Sequence, residues 1–276
     1  MKIAFVIYRQ WAFEIFKNIS SFGNVFLITT KKAEFSLSEA RKYTKVELVE
    51  GYNNGKIYEL LKKNKIDVVF FYGWSWIVED KILDNFLCIC LHPSPLPKYK
   101  GGSPIQHQIL NKEKRSAVSV FKMTQGIDTG DIYLQLPMSL SGDINDIFNR
   151  MINLGTKITK KFLLDYKKGR VELVAQKNLD KYPVFKRRKP EDSEIKESSL
   201  KNMTFKDLYN LVRCLSDPYP NAYIVSGNEK ISILKIKKIK NKITEENIII
   251  SKHGIILKLK DGFARIEECR ILKVNL

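Results

Sequence analysis

Short apolar runs at residues 3–7, 24–29, 68–71, 88–91 and 117–123 alternate with helical patterns at 11–20, 55–64 and 106–111. That alternation constrains the fold more than any other feature. Apolar runs of this length read as buried strands. Strands separated by helices have to be joined by crossovers, which builds a mostly parallel sheet between helical layers. Ser103-Pro104 places an N-cap and a first-turn proline before the third helical pattern. Over residues 144–166 the apolar positions Ile147, Met151, Ile152, Leu154, Ile158, Phe162 and Leu163 recur near every 3.6 residues. They predict a long amphipathic helix that closes a first α/β domain.

The composition then changes. Residues 170–200 are charged and proline-containing, which reads as a linker or an extended crossing segment. A helix is expected over 204–215, with Thr204 as its cap and Asp207 in its first turn. Ile/Val/Lys alternations at 222–226, 230–239, 248–251, 254–260 and 263–272 predict antiparallel strands and a small open barrel.

No apolar stretch approaches the roughly 18 residues that cross a bilayer, and the first apolar run is too short for a secretory signal. Cys88, Cys90, Cys214 and Cys269 lack metal-ligand spacing, and Cys88 and Cys90 alternate along one strand. A reducing, cytoplasmic setting is expected, without membrane association or metal. The formal charge of +18 admits two readings. It suits a polyanionic partner, or it reflects lysine usage spread along the whole chain, with no basic stripe interleaved with aromatics.

Two loops carry chemistry. The first follows the run at 88–91 and reads Leu91-His92-Pro93-Ser94-Pro95-Leu96-Pro97-Lys98-Tyr99-Lys100-Gly101-Gly102-Ser103-Pro104. The second, Gly126-Ile127-Asp128-Thr129-Gly130-Asp131, follows the run at 117–123. The chain has only three histidines, so few side chains can exchange protons near neutral pH. A histidine and a carboxylate at neighbouring strand ends would form an acid/base pair. Taken singly, His92 also fits a packed, hydrogen-bonded side chain and Asp128 a turn residue.

Together the segments His92-Pro-Ser-Pro-Leu-Pro-Lys-Tyr-Lys-Gly-Gly-Ser-Pro-Ile-Gln106 and Gly126-Ile-Asp-Thr-Gly-Asp131 resemble the formyltransferases that use 10-formyltetrahydrofolate. These act on methionyl-tRNA, glycinamide ribonucleotide or sugar nucleotides. The resemblance is specific over residues 65–135. It implies a Rossmann-like catalytic domain over 1–180, a linker over 181–203 and an OB-like C-terminal domain over 204–276. It also implies His92 and Asp128 as catalytic residues, with no metal. The Asn that the family carries two residues before its histidine is here Cys90, a weaker donor for a developing oxyanion. Cys90 also reads as a packed strand thiol or, less simply, as a nucleophile. Trp74, Ser75, Trp76, Ile77 and Val78, with Gln125 and Gly126, would border the folate, although two tryptophans past a strand end also suit core packing. Asp128 would take a proton from the attacking amine, and His92 would stabilise the oxyanion and protonate the leaving nitrogen.

For the acceptor, Phe185-Lys-Arg-Arg188-Lys-Pro-Glu-Asp192 and Leu211-Val-Arg213-Cys-Leu-Ser-Asp-Pro218-Tyr219-Pro220 resemble segments of the sugar-nucleotide branch. That implies a nucleotide-linked amino sugar as substrate. It would be held by Ser94, Lys98, Gly101, Gly102 and Ser103 of the first loop and by Arg187, Arg188, Arg213 and Tyr219. Each arginine equally suits a surface ion pair, and Tyr219 a turn. The alternative acceptor is methionyl-tRNA, with nucleic acid as the partner. A formyltetrahydrofolate hydrolase or a non-catalytic RNA-binding relative follows behind. An exposed C-terminal sheet offers a surface for a homodimer.

Overall fold

The computed structural model describes residues 1–240, 246–251 and 254–273. The chain separates into two compact units. The first comprises Met1–Pro104, Arg115–Ser139 and Phe148–Phe185. The second comprises Ile105–Lys114, Leu140–Ile147 and Lys186–Leu276.

The chain opens with strand β1 (Lys2–Val6), helix α1 (Gln10–Ile19), β2 (Asn24–Thr29), the short α2 (Leu37–Ala40) and β3 (Val46–Leu48). Then come α3 (Asn54–Lys63), β4 (Val68–Tyr72), α4 (Asp80–Asn85), β5 (Leu87–His92) and the two-residue β6 (Lys100–Gly101). After α5 (Pro104–Leu110) follow β7 (Arg115–Lys122), β8 (Ile132–Ser139), α6 (Ile144–Lys167) and the short β9 (Val184–Phe185).

Seven of these strands form one sheet in the order β3-β2-β1-β4-β5-β7-β8. The β3 to β5 side is parallel throughout, while β7 and β8 are antiparallel additions at one edge. The mostly parallel, Rossmann-like reading therefore holds. The strands β3 and β8 and the helices α2 and α4 are elements that apolar patterning does not mark. β8 is a half-buried edge strand containing Pro137, which only an edge position tolerates well.

Both faces of the sheet are covered. On one, Ala4, Val6, Val69, Phe71 and Cys88 pack with Ile57, Leu60, Leu61, Val78 and Ile82. On the other, Phe5 stacks on Phe70 at 4.9 Å and meets Phe16 edge-on at 5.5 Å, and Phe70 meets Phe162 of α6 at 5.8 Å. Buried Tyr72 shares a hydrogen bond of 2.9 Å with Thr159.

In the second unit, α7 (Glu197–Leu200) precedes α8 (Phe205–Cys214), whose N-terminus carries a reciprocal capping box between Thr204 and Asp207. The described strands are β10 (Tyr223–Ser226), β11 (Glu229–Ile239), β12 (Ile248–Ser251), β13 (Gly254–Leu259) and β14 (Gly262–Lys273). They pair antiparallel in the order β10-β11-β14-β13-β12. Register shifts at Ile233, Lys235 and Ile236 bend the long β11–β14 ribbon toward a half-barrel. Of the expected 204–276 domain, residues 241–245, 252–253 and 274–276 lie outside the described residues. The stretch read as a linker is structured: Ile195 and Leu200 are fully buried, and the Ile195 N–H donates to Tyr223 O at 2.7 Å. Its charged composition masks those two apolar anchors.

Candidate active site

The sequence places His92 and Asp128 at neighbouring strand ends, and the register corrects that picture. β5 and β7 are antiparallel, with His92 opposite Ser119 and Ile89 opposite Lys122. β7 therefore ends beside Ile89, away from His92. Residues 88, 90 and 92 share one face of β5 by strand alternation. The loop after β7 starts on Cys88, whose carbonyl accepts from the Met123 N–H at 2.8 Å, and folds back along that face. Its return brings Asp128 Oδ2 to 3.4 Å from His92 Nδ1.

Three contacts define the pair. The imidazole is buried, and its Nε2–H donates to the Tyr99 carbonyl at 2.8 Å. A carbonyl can only accept, so this bond keeps a proton on Nε2 and leaves Nδ1 to face the carboxylate. Oδ2 of Asp128 also accepts the backbone N–H of Gly101 at 2.7 Å. Its Oδ1 has no hydrogen-bond partner among the described residues.

The loop after His92 is braced from inside. Ser94 is fully buried and donates to Lys98 O at 2.7 Å, while Ser119 donates to Ser94 O at 2.6 Å. Gln135 then donates to Ser119 Oγ at 2.8 Å and to Leu96 O at 3.2 Å. Ser94 is thus bound into the loop itself. Gly101 (φ +96) and Gly102 belong to the contact between β6 and β9, where the Gly102 N–H donates to Phe185 O at 2.8 Å. Lys98 sets its ammonium over the Tyr182 ring at 5.7 Å, and Ser103 takes a left-handed turn at φ +52 rather than an extended cap.

Cys90 sits on the same face between Cys88 and His92, and its thiol donates to Phe71 O at 3.2 Å. Burial, reinforced by the nearby Asp128 carboxylate, pushes this thiol well above its usual range. It is a neutral donor engaged with backbone, a setting that does not favour a nucleophile.

Trp74, Ser75 and Trp76 form an aromatic corner with Tyr8. The Tyr8 ring lies 5.0 Å from Trp76 and 6.1 Å from Trp74, the two indoles are 4.8 Å apart, and the Tyr8 hydroxyl bonds Ser75. Trp74 Nε1 is buried with no hydrogen-bond partner among the described residues. Ile77 is 85% exposed, whereas Val78 belongs to the core, so these neighbours point to different surroundings. Buried Asn54 fastens the segment, donating to Ile77 O at 3.1 Å and accepting from the Glu79 N–H at 3.3 Å. Gln125 and Gly126 border an open cleft of about 310 Å³ with Leu83, Asp84 and Lys122.

In the second unit, Arg213 donates to Leu140 O at 2.7 Å, to Gly142 O at 2.8 Å and, through Nε, to Asn210 at 2.8 Å. Its Nε and Nη1 are thus engaged with protein groups. Arg188 donates to Asp192 O, and Tyr219 follows a turn in which its N–H donates to Ser216 O at 3.1 Å. Arg187 lies in the same segment, where the Lys186 carbonyl accepts from His107 at 2.9 Å. Tyr99, Gln135 and Asn54 escape sequence reading because they act through backbone groups brought close only by folding. Among the described residues no group of three His, Cys, Asp or Glu side chains could hold a metal ion.

Residues 17–160 match the model of the formyl transferase domain, and residues 189–274 match that of the formyl transferase C-terminal domain. The chain belongs to the formyl transferase family. It is a formyltransferase that draws its one-carbon unit from 10-formyltetrahydrofolate. A methionyl-tRNA formyltransferase from Mycoplasma mycoides is 31% identical over 226 residues, covering 78% of this chain and 69% of that one. Among solved structures, a methionyl-tRNA formyltransferase from Clostridium thermocellum superposes with a TM-score of 0.66 and 24% identity, covering 99% of both chains. An N-formyltransferase from Helicobacter canadensis, solved with folinic acid and dTDP-3-aminofucose, reaches 0.74 at 20% identity, over 98% of this chain and 100% of that one.

These relatives overturn the expected acceptor. The curated sequence relatives bear the methionyl-tRNA name over most of this chain, against the sugar-nucleotide reading. Likeness to the sugar enzyme at 20% identity shows a shared fold alone.

Proposed function

We propose that this formyltransferase acts in the cytoplasm on the amino group of methionyl-tRNA. The observation that carries the reading is the His92–Asp128 pair, 3.4 Å apart in a buried setting, in a chain whose sequence relatives bear that activity's name. A charge of +18 suits a polyanionic acceptor, because each neutralised phosphate releases counterions.

The aromatic corner fits a flat heteroaromatic donor. Trp74 and Trp76 offer ring faces, and the Trp74 indole N–H, lacking a partner among the described residues, suits a ring carbonyl or nitrogen. When bound, 10-formyltetrahydrofolate supplies an activated formyl carbon. The residues of the chain then manage protons and charge. The incoming amine has to be neutral to attack, and Asp128 Oδ1, with its lone pairs open, receives the proton the ammonium loses. His92 is held by Tyr99 through Nε2, so Nδ1 is the atom that exchanges protons in the site. An imidazolium there stabilises negative charge building on the formyl oxygen and returns a proton to the departing nitrogen. Cys90 contributes no amide donor, so the positive charge on His92 carries more of the oxyanion stabilisation.

The test is to supply 10-formyltetrahydrofolate with charged initiator tRNA, with nucleotide-linked amino sugars, or with no acceptor. Formyl-methionyl-tRNA is the expected product, its KM rising steeply between about 50 and 200 mM salt. His92→Ala and Asp128→Ala each lower kcat by about 10²–10⁴ while the folding transition persists. Formylation of a sugar in preference to tRNA, formate release without acceptor, or full turnover by either variant overturns the reading.

A further inference from the structure

We infer that Gln176 is the positioning residue for Asp128. The inference rests on the reading of Asp128 as a catalytic group and deepens it. The tip of the loop that carries Asp128 has no apolar anchor: Gln125 and Gly126 are exposed, and Ile127 is 56% exposed. Asp128 also occupies the left-handed region at φ +53, uncommon outside glycine though aspartate tolerates it better than most residues. Gln176 fastens the turn in that conformation. Its Nε2 donates to Asp128 O at 2.9 Å and to Gly130 O at 2.8 Å, so one amide spans both sides of the turn. Two carbonyl acceptors leave no alternative orientation for that amide. The cost is visible at its other end, because Gln176 Oε1 is buried with no hydrogen-bond partner among the described residues. Buried acceptors are seldom left unmet, so the orientation is set by what the nitrogen holds.

Gln176 belongs to an extended stretch fastened to both catalytic loops. Val174 bridges Ile132, just past the Asp128 loop, by paired backbone bonds of 2.8 and 2.9 Å. Further on, Lys100 donates to Leu179 O at 2.9 Å, Tyr99 stacks on Phe185 at 5.2 Å, and β9 pairs with β6. The stretch from Val174 to Phe185 therefore ties the carboxylate loop to the loop whose Tyr99 carbonyl orients His92. Gln176 is the side chain in it that grips the Asp128 backbone. Its proposed work is to keep Oδ2 between the Gly101 N–H and His92 Nδ1.

Gln176→Met keeps the length and removes the donor, and Gln176→Glu keeps the shape and turns an acceptor toward two carbonyls. Both are compared with wild type, Asp128→Asn and the Asp128→Asn/Gln176→Met double variant, measuring kcat, donor KM and the melting transition. The expected result is a kcat lower by about 10- to 100-fold for each Gln176 variant, as for a small misplacement of a reacting group. Donor KM stays within about threefold, and Gln176→Met adds nothing further in the Asp128→Asn background. Gln176 variants with wild-type kcat, or a loss that multiplies fully in the double variant, overturn the inference while leaving Asp128 in place. Full turnover by Asp128→Asn instead removes the catalytic reading beneath it.

Discussion

Gly101→Ala tests whether the backbone around the acid/base pair matters as much as the pair itself. Gly101 stands at φ +96, outside the range of side-chain-bearing residues, and its N–H is the closest donor to Asp128 Oδ2, at 2.7 Å. A Cβ there would lie 2.9 Å from Val184 Cγ1 and 3.0 Å from the Phe185 nitrogen, and closer still to the Phe185 carbonyl oxygen. Two of these obstacles are backbone, so no side-chain rotation relieves them. β6 has to retreat from β9 by about 1 Å, and a displacement of that size near reacting groups lowers rate by about 100-fold. The backbone conformation adds about 1–3 kcal/mol of strain. Weakening the charged Asp128 hydrogen bond adds about 1.5–3 kcal/mol more. Some of this relaxes, so the expected loss is about 2–4 kcal/mol of stability with kcat down about 100-fold. Denaturant unfolding and steady-state formyl transfer measure the two. Wild-type kcat in a folded Gly101→Ala protein would show that the Gly101 N–H plays no part in placing the carboxylate.

Gly155→Ala offers a contrast, since its added methyl would meet Leu91 Cδ1 at 2.6 Å and Ile15 Cδ1 at 2.8 Å, both flexible side-chain ends. Overpacking of about 1–3 kcal/mol against a helix-propensity gain of about 1 kcal/mol predicts a small fall in melting temperature, below that of Gly101→Ala; an equal or larger fall refutes this. Cys90→Ala should keep kcat within about tenfold and iodoacetamide should react slowly at Cys90 in the native protein, because that thiol is held neutral by burial and by Asp128. Rapid alkylation with loss of turnover would contradict that. In Asp207, burial opposes ionisation, but hydrogen bonds from Lys112 and Thr204 outweigh it and hold the carboxyl at about 2. Its folded value lies below the unfolded one, so the added stability is present above about pH 4 and is lost as pH falls toward about 2. Allowing for solvent screening, it amounts to about 1–2 kcal/mol. The stability gap between wild type and Asp207→Asn should close over that interval; a gap constant with pH refutes the assignment.

The alternation of apolar runs and helical spacing is local, so the parallel core, α6 and the strands of the second unit are legible from residues alone. The short strand β3, the proline-bearing edge strand β8 and the buried anchors Ile195 and Leu200 are not, because each is stabilised by partners remote in the chain. His92 and Asp128 stand out by residue type and by the loops that hold them, and their kinship with formyltransferases is a property of order along the chain. The acceptor was misjudged because short arginine-bearing segments do not reveal whether a guanidinium is free, and Arg213 is bound to two carbonyls and an amide.

Only tertiary structure decided how the carboxylate reaches the imidazole. β7 runs antiparallel to β5 and ends beside Ile89, so Asp128 returns to His92 through a folded-back loop gripped by Gln176 and Gly101. Residue type sets which groups can carry protons, because that is intrinsic chemistry. The distance between them depends on hydrogen bonds that join a side chain to backbone between segments 27 and 48 residues apart, and no local pattern encodes those.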